Sequence, residues 1–471
     1  MKRPSPRRLL AYLGLLLSLF LIGFLAYTLP VGSAFAAKNM CSCVFVAGMD
    51  ENEVRTVELS PFSVFRTEVD YQRKRVTGSF FGLRRETAVY RPGYGCTMTG
   101  DLPADTLQAR QYAPHQNLLN QDADQDFWPM GDRDTLPLPD GLDLAHLDAV
   151  VNEMFTERPG QPLKHTRALL VVHQGKIVAE RYAEGFDRET PLQGWSMTKS
   201  VINALVGILV KQGKLDIYAP AAVPEWQAPD DPRREITPDH LLRMSSGLAF
   251  TEFYFARTDA TEMLFLDEDA AGYAAQSELA ALPDTEFSYS SGSTNLLSRL
   301  LRHTLGNDSV YRAFPYQALF GRIGMEDVVI EPDASGTYVG SSYMWCPARD
   351  WARFGMLYLN DGVWQGERIL PEGWAAYSST PTPTAPGGVY GAQFWTPTPA
   401  SDSAGWYDKF VWPRVPEDAY LAEGFEGQMV VIIPSRETVI VRLGVTLDRS
   451  AWSMADLVGD ILAALPEGEG A

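Results

Sequence analysis

The sequence contains few of the residues on which metal-dependent and histidine-dependent hydrolases rely. It has 6 histidines and 4 cysteines among 471 residues. An H-E-x-x-H segment is absent, which argues against a zinc protease of that type. A G-x-S-x-G segment is absent too, and no histidine stands in a late turn between a strand and a helix. These absences argue against a Ser-His-Asp hydrolase, and we expect neither a metal nor a cofactor.

Positive charge is also scarce. The chain has 40 lysines and arginines against 59 aspartates and glutamates, which gives a net charge of −19. Because no basic field is available to attract phosphate groups, we exclude nucleic acid as a partner. Hydrophobic residues make up 45% and aromatic residues 11%, as in globular proteins. The length allows one large or two medium domains, and the sequence leaves the oligomeric state open.

The N-terminus has the pattern of an export signal. A basic segment, residues 2–8, precedes an uncharged run over residues 9–29, and Ala34–Ala36 offers an A-x-A cleavage site. The run is long for a signal peptide and about long enough to span a bilayer. Two interpretations remain: a cleaved signal peptide, which we favour, and a retained anchor that attaches the protein to the membrane through residues 9–29. Both predict an exported protein, periplasmic or facing the extracellular side, with anchoring to the inner membrane in the second case.

The cysteines fit an exported protein better than a metal site. In an oxidising compartment, we expect a disulfide between Cys96 and either Cys41 or Cys43. A zinc site at these three positions would lack a fourth ligand, and no histidine lies among them. Cys346 is predicted to be a buried thiol.

We divide the chain into three parts. Residues 1–37 form the signal peptide or anchor, residues 38–140 form an N-terminal extension with an Asp- and Pro-rich connector, and residues 141–471 form one domain. Short strands are predicted in the extension at 44–46 and 79–82. The last part combines strands, many helices, and then strands with a terminal helix, which predicts an α+β sheet with a helical lobe inserted. Its predicted strands are 168–173, 177–182, 429–434 and 438–445, and its terminal helix is 451–465.

A Ser-x-x-Lys pair opens an apolar segment, 201–210, that predicts a buried helix. Ser196 and Lys199 are three residues apart, so their side chains share one helix face with Cβ atoms roughly 5–6 Å apart. A serine hydroxyl needs a base beside it to act as a nucleophile, and burial lowers the pKa of a lysine towards that role. The N–H groups at the start of the helix suit an oxyanion. Because the pattern is short, an N-capping serine beside a solvated lysine is the alternative at this point.

Two further segments contain residue types suited to the same chemistry. In Phe287–Leu297, Tyr289 and Ser291 precede an amphipathic helix, and a tyrosine hydroxyl close to a lysine ammonium ionises more easily and can accept a proton. In Ala422–Gln428, glycines lead into a strand and let a substrate carbonyl approach the backbone. A helix-capping cluster and a hairpin-entry loop are the respective alternatives.

These three segments, in this order, resemble the serine β-lactamase and penicillin-binding-protein superfamily. The resemblance is closest to its class C-like branch of hydrolases, which includes 6-aminohexanoate-dimer hydrolase and related esterases. Leu241–Leu248 is similar to the branch's L-L-x-x-x-S-G-L, and Arg349–Gly355 is similar to its R-D-x-A-R-x-G. The similarity covers roughly residues 165–465. It implies a β-lactamase/transpeptidase-like α+β fold, with a five-stranded antiparallel sheet flanked by helices and a site in the cleft beside a helical lobe.

The resemblance also implies a role for each candidate residue. Ser196 would be the acylated nucleophile, Lys199 its proton acceptor or the partner of a second base, and Tyr289 the group that relays a proton to the leaving group. The backbone N–H groups of Ser196 and Phe425 would form the oxyanion hole. The residues implied to bind substrate are Ser291, which stands where class C enzymes have asparagine, Tyr254, which matches a tyrosine of the dimer hydrolases, Gly424, Phe425 and Gln428.

The third motif departs from the family pattern. The family often has Lys-Thr-Gly or His-Thr-Gly there, whereas this chain has Ala422-Glu423-Gly424, and no histidine follows His303. Glu423 would repel a substrate carboxylate if it faced the cleft. We therefore predict hydrolysis of a small uncharged ester or amide through a Ser196 acyl-enzyme, ahead of β-lactamase or DD-peptidase activity. A non-hydrolytic sensor or binding domain, or a weak β-lactamase, is the alternative.

Overall fold

The described part of the chain consists of an N-terminal unit, a central sheet with helices on both faces, and a helical lobe. The computed structural model describes residues 6–110, 126–133, 137–254, 256–399 and 406–466. Residues 1–5 of the predicted signal segment and residues 111–125 and 134–136 of the predicted connector lie outside these ranges.

The N-terminal unit is a long helix, α1 (Pro6–Phe45), packed on a small antiparallel sheet. Gly78 lets the sheet approach the helix closely, because a Cβ there would lie 2.0 Å from the Ser33 carbonyl oxygen. The strand predicted at 44–46 is instead the end of α1 and the turn that follows it. The sheet contains, in order, β1 (Phe65–Asp70), β2 (Arg75–Phe80), β3 (Leu83–Arg91) and β4 (Gly95–Met98), and two short helices accompany it, α2 (Glu51–Thr56) and α3 (Ala104–Ala109).

The A-x-A sequence predicted as a cleavage site lies inside α1. Ala34 and Ala36 are both 0% exposed, and the helix is unbroken across them. Within the described residues, no helix combines the length and the apolar character needed to cross a membrane.

A disulfide joins the helix and the sheet of the N-terminal unit. Cys41 of α1 is bonded to Cys96 of β4, and their Cα atoms are 6.0 Å apart. Cys43 and Cys346 are buried thiols. The structure thus selects Cys41 from the two predicted partners of Cys96, and it confirms the burial of Cys346.

The five-stranded sheet implied by the resemblance is present and antiparallel throughout. In sheet order its strands are β12 (Tyr420–Gly424), β13 (Gln428–Ile433), β14 (Thr438–Gly444), β5 (Thr166–His173) and β6 (Lys176–Tyr182). Successive residues of β5 point to opposite faces. Leu170 packs in the core shared with the helical lobe, whereas Leu169 packs in a second core with the terminal helix. That second core is covered by α4 (Leu144–Phe155) and α13 (Met454–Ala464).

The helical lobe is inserted between β6 and β12, as predicted. Two of its helices, α5 (Thr198–Lys211) and α9 (Ser291–Leu305), both begin at the cleft beside the sheet, which brings their first turns together. The other helices are α6 (Pro238–Leu242), α7 (Asp259–Phe265), α8 (Ala270–Ala275), α10 (Asp308–Ala318), α11 (Ala348–Leu359), which packs on the sheet, and α12 (Trp374–Ser379). The short strands of this region are β7 (Leu192–Gln193), β8 (Val329–Ile330), β9 (Met344–Cys346), β10 (Val363–Trp364) and β11 (Glu367–Arg368).

A buried ion pair attaches α1 to the rest of the protein. Lys38 donates to the carboxylate of Glu331, and Ser42 Oγ donates to the same carboxylate at 2.7 Å. Cys96 N at 2.6 Å and Trp345 Nε1 at 3.1 Å are further donors to it. Because a buried charge needs both a partner and hydrogen bonds, this carboxylate makes the docking of α1 specific.

Candidate active site

Ser196 and Lys199 lie where a short 3₁₀ turn, Trp195–Met197, runs into α5. Lys199 Nζ donates to Ser196 Oγ at 2.9 Å and to the Ser341 carbonyl oxygen at 2.9 Å. The lysine is buried, and this burial lowers its pKa to about 8 despite two nearby carboxylates that act in the other direction. A lysine with such a pKa releases its proton near pH 8, well below the pH at which an exposed lysine does so. The predicted nucleophile and base are therefore in direct contact, and the solvated-lysine alternative is wrong.

Tyr289 reaches the same serine from the segment that precedes α9. Its hydroxyl lies near Ser196, which acts to lower the pKa of Tyr289, and Lys199 Nζ lies 5.0 Å from the centre of its ring. The ring stacks on Trp395 at 5.2 Å and meets Tyr390 edge-on at 5.7 Å. Burial raises the pKa of Tyr289 well above its ordinary value. The expected easier ionisation beside a lysine is thus wrong in sign: the tyrosine keeps its proton, which suits a donor and relay.

Glu252 is a residue of the site that the sequence analysis missed. Its Oε2 accepts from Ser291 N at 2.8 Å, and its Oε1 accepts from Ser291 Oγ at 2.6 Å. Ser291 Oγ in turn accepts from Lys199 Nζ at 3.1 Å. The serine therefore connects the lysine to a carboxylate. Because of its charge, Glu252 acts to raise the pKa of Lys199 against the effect of burial.

Tyr254 shares the Glu252 carboxylate with Ser291. Its hydroxyl donates to Glu252 Oε1 and lies 3.4 Å from Ser291 Oγ. Burial, and after it the Glu252 charge, raises the pKa of Tyr254 well above its ordinary value. The hydroxyl therefore carries a proton at neutral pH. The only available sequence signal for Glu252 was its spacing of two residues from this tyrosine.

The third motif places Phe425 beside the nucleophile. Gly424 ends β12, and a Cβ at that position would lie 2.2 Å from the Gly194 carbonyl oxygen. This close approach requires glycine, and it sets the segment around Phe425 against the segment that leads to Ser196. The two backbone N–H groups implied for an oxyanion hole are consequently on adjacent segments.

The side chain of Gln428 is bonded to the backbone of this motif. The residue is 2% exposed. Its side-chain amide donates to the carbonyl oxygens of Phe425, at 3.1 Å, and of Gly444, and it accepts from Gly444 N at 3.0 Å. Backbone groups thus occupy the amide, which fixes the turn between β12 and β13.

The charge of Glu423 is balanced by a neighbouring lysine. Lys409 Nζ lies 2.8 Å from Glu423 Oε1, and both side chains are largely buried. The repulsion of substrate carboxylates expected from Glu423 is therefore weaker than the sequence indicated.

Within the described ranges, no group of three or more His, Cys, Asp or Glu side chains is arranged to hold a metal ion.

Comparisons with known proteins agree with this fold. A family model described as Beta-lactamase matches residues 151–456. A 6-aminohexanoate-dimer hydrolase from Paenarthrobacter ureafaciens is 26% identical over 225 residues, which are 44% of this chain and only 56% of the length of that relative.

Two solved structures share the fold at low sequence identity. A family VIII carboxylesterase has a TM-score of 0.53 and 16% identity, covering 70% of this chain and 98% of that one. A penicillin-binding protein homologue from Caulobacter crescentus has a TM-score of 0.52 and 15% identity, covering 70% and 99%. These matches confirm the resemblance found in the motifs. With a family match across more than half of its length, the chain belongs to the beta-lactamase family.

Proposed function

We propose that the protein is a serine hydrolase that cleaves small ester or amide bonds through an acyl-enzyme on Ser196. The observation that carries this proposal is the 2.9 Å hydrogen bond between Lys199 Nζ and Ser196 Oγ. Burial lowers the pKa of that lysine to about 8. A neutral amine in contact with a hydroxyl is the arrangement that activates serine as a nucleophile.

In the acylation step, the Lys199 amine accepts the Ser196 Oγ proton while the oxygen attacks the substrate carbonyl carbon. The backbone N–H groups of Ser196 and Phe425 stabilise the negative charge that develops on the carbonyl oxygen. Tyr289 donates its proton to the departing alcohol or amine and recovers a proton from Lys199. In deacylation, Lys199 accepts a proton from the water that attacks the acyl carbon, and Ser196 leaves with a proton.

The walls of the cleft support an uncharged substrate. Trp195 meets the Phe425 ring edge-on at 5.7 Å, and Tyr254 lies 6.2 Å from Phe425 on the other side. Phe425 is 37% exposed, so its ring is available to a ligand. Each of the two lysines near the cleft has a carboxylate nearby: Glu252 lies near Lys199, and Glu423 pairs with Lys409. Apolar walls with balanced charges favour neutral acyl groups. The names of the dimer hydrolase and the carboxylesterase point to amide and ester bonds.

We also propose that the catalytic domain is exported. The disulfide between Cys41 and Cys96 supports an oxidising compartment, where such bonds persist. Fractionation of cells that express the full chain tests this: the protein should be digested by protease added to spheroplasts. Protection equal to that of a cytoplasmic marker would contradict the proposal.

The first experiment on function is a burst assay with p-nitrophenyl butyrate on the full-length protein, with Ser196→Ala as the control. We expect a burst equal to the protein concentration, followed by steady turnover, and neither in the variant. A fluorophosphonate probe should label the wild type and not the variant.

The other outcomes of this assay separate the alternatives. A stoichiometric burst without turnover would support the non-hydrolytic sensor. Turnover of nitrocefin above that of the ester would support a β-lactamase. Labelling of Ser196→Ala at the wild-type rate would refute Ser196 as the nucleophile.

A further inference from the structure

Two residues next to the proposed oxyanion donors have left-handed backbone conformations. Trp195 has φ 48° and directly precedes Ser196, and Glu426 has φ 65° and directly follows Phe425. Neither is a glycine, so each conformation costs roughly 1–3 kcal/mol and persists only where surrounding contacts stabilise it. Such residues are concentrated at functional sites.

The side chains of these two residues are in contact with each other across the cleft floor. The Trp195 indole acts to lower the pKa of the Glu426 carboxyl group, and both side chains line one small cavity. The Trp195 ring also meets the Phe425 ring at 5.7 Å, and Gly194 meets Gly424 backbone to backbone. The two short segments therefore touch at three successive positions.

The main chain of Glu426 is held by a second set of bonds. Its carbonyl oxygen accepts from Arg442 Nη1 at 3.1 Å and from Thr446 N at 3.0 Å. Arg442 Nη1 also donates to the Gly427 carbonyl oxygen at 3.0 Å. These bonds fix the backbone of the turn, so the Glu426 side chain has a defined direction towards Trp195.

The N-terminal unit packs against the same pair of residues. Phe35 of α1 stacks on Trp195 with ring centres 6.4 Å apart. A cavity of about 30 Å³, large enough for a water molecule, lies between α1 and the turn, and its lining includes Glu58, Arg167 and Glu426. Arg167 forms an ion pair with Glu58 there. The N-terminal unit thus packs against the Trp195–Glu426 pair from the side opposite the substrate.

We propose that Trp195 and Glu426 are positioning residues that set the backbone N–H groups of Ser196 and Phe425 at the separation needed to bind one oxyanion. This inference rests on the proposed acyl-enzyme function. Neither side chain touches the reacting atoms; each acts through the donor next to it. Displacing one donor removes stabilisation of the transition state while ground-state binding remains, so it lowers kcat more than it changes KM.

Glu426→Ala, Glu426→Gln and Glu437→Ala are the variants that test the pair. Burial raises the pKa of Glu426 to about 8, so the neutral amide of Gln resembles the form present at pH 7 and keeps an oxygen that can face the indole. Glu437 is the matched control, because it is a glutamate with φ 43° in the turn between β13 and β14, away from the cleft.

We expect Glu426→Ala to lower the acylation rate in the burst assay by about 10- to 100-fold with KM within about threefold, since small misplacements of catalytic groups have effects of this size. Glu426→Gln should stay within about threefold of the wild type, and Glu437→Ala should match the wild type. Equal rates for Glu426→Ala and the wild type would overturn the proposal, as would equal losses in Glu426→Ala and Glu426→Gln.

A measurement without substrate separates this inference from the proposed function. In a ¹H–¹⁵N spectrum, the indole resonance of Trp195, assigned with Trp195→Phe, should shift in Glu426→Ala and much less in Glu426→Gln. If the wild-type protein gives no burst, the proposed function fails, and the indole resonance still reports on the pair. An indole resonance unchanged in Glu426→Ala would overturn the pairing itself.

Discussion

Replacing Glu252 with glutamine should move the pH dependence of acylation to lower pH. Glu252 is at most about 6 Å from the Lys199 ammonium, because Ser291 Oγ is hydrogen-bonded to both. At an effective dielectric constant of about 20, two charges at that distance interact by about 3 kcal/mol, which corresponds to roughly two pH units. A carboxylate stabilises the ammonium form, so removing its charge lowers the pKa of Lys199.

The sign and size of the effect can be measured from kcat/KM as a function of pH, because this quantity reports the pKa values of the free enzyme. In the wild type, activity should rise with a midpoint near pH 8, where Lys199 loses its proton. In Glu252→Gln the midpoint should fall towards about pH 6, and activity at pH 6.5 should rise by up to about 20-fold. The plateau above pH 9 should decrease, because a weaker base accepts the Ser196 proton less readily.

Glu225→Gln is the matched control for this experiment. Glu225 pairs with Arg299 on the surface of the helical lobe, so the same change there should leave the midpoint unchanged. A midpoint in Glu252→Gln that stays near pH 8 or moves to higher pH would refute the electrostatic role given to this carboxylate.

Three further perturbations test the packing around the site. Lys38→Ala leaves the Glu331 carboxylate buried without its cation, so the free energy of unfolding measured in urea should fall by about 3–5 kcal/mol; adding Glu331→Gln should restore part of it, and no loss would contradict the pairing. Cys41→Ser removes a disulfide with a sequence separation of 55, and the lost constraint on the unfolded chain should lower the free energy of unfolding by about 4 kcal/mol. A Tm equal to that of the oxidised wild type would contradict this. Gly424→Ala puts a Cβ 2.2 Å from the Gly194 carbonyl oxygen, so the burst rate should fall about 100-fold while circular dichroism stays native; an unchanged rate would show that this contact does not position the donors.

The contact between the candidate catalytic residues was predictable because its geometry is local. Ser196 and Lys199 are one helical turn apart, so the sequence alone brings their side chains together. Tyr289 could be placed only through the resemblance, since nothing in its spacing indicates contact with a residue 93 positions earlier. Glu252 has no such pattern: a carboxylate in a loop is usually solvated, and its contacts arise from tertiary packing.

The packing of the N-terminal unit could not be predicted from the sequence, and the reason is physical. An apolar run followed by small residues is typical of a signal peptide, and the same composition suits a helix that packs closely on a sheet. Ala34, Ala36 and Ala37 are buried in this way. The packing of this helix depends on the partners of Lys38, and Glu331 is 293 residues away in sequence. Pattern reasoning within a short window cannot detect such a partner.

The error over the ionisation of Tyr289 shows which electrostatic effect dominates in this cleft. A neighbouring ammonium would lower the pKa of the tyrosine, but Tyr390 and Trp395 exclude water from its ring, and burial opposes the charged form. The same burial opposes the charged form of Lys199. Both groups are therefore driven towards neutrality, one by keeping its proton and the other by losing it. A neutral amine and a neutral phenol on either side of one serine hydroxyl can pass a proton without leaving an isolated charge in an apolar cleft, which is the condition that a proton relay between serine and leaving group requires.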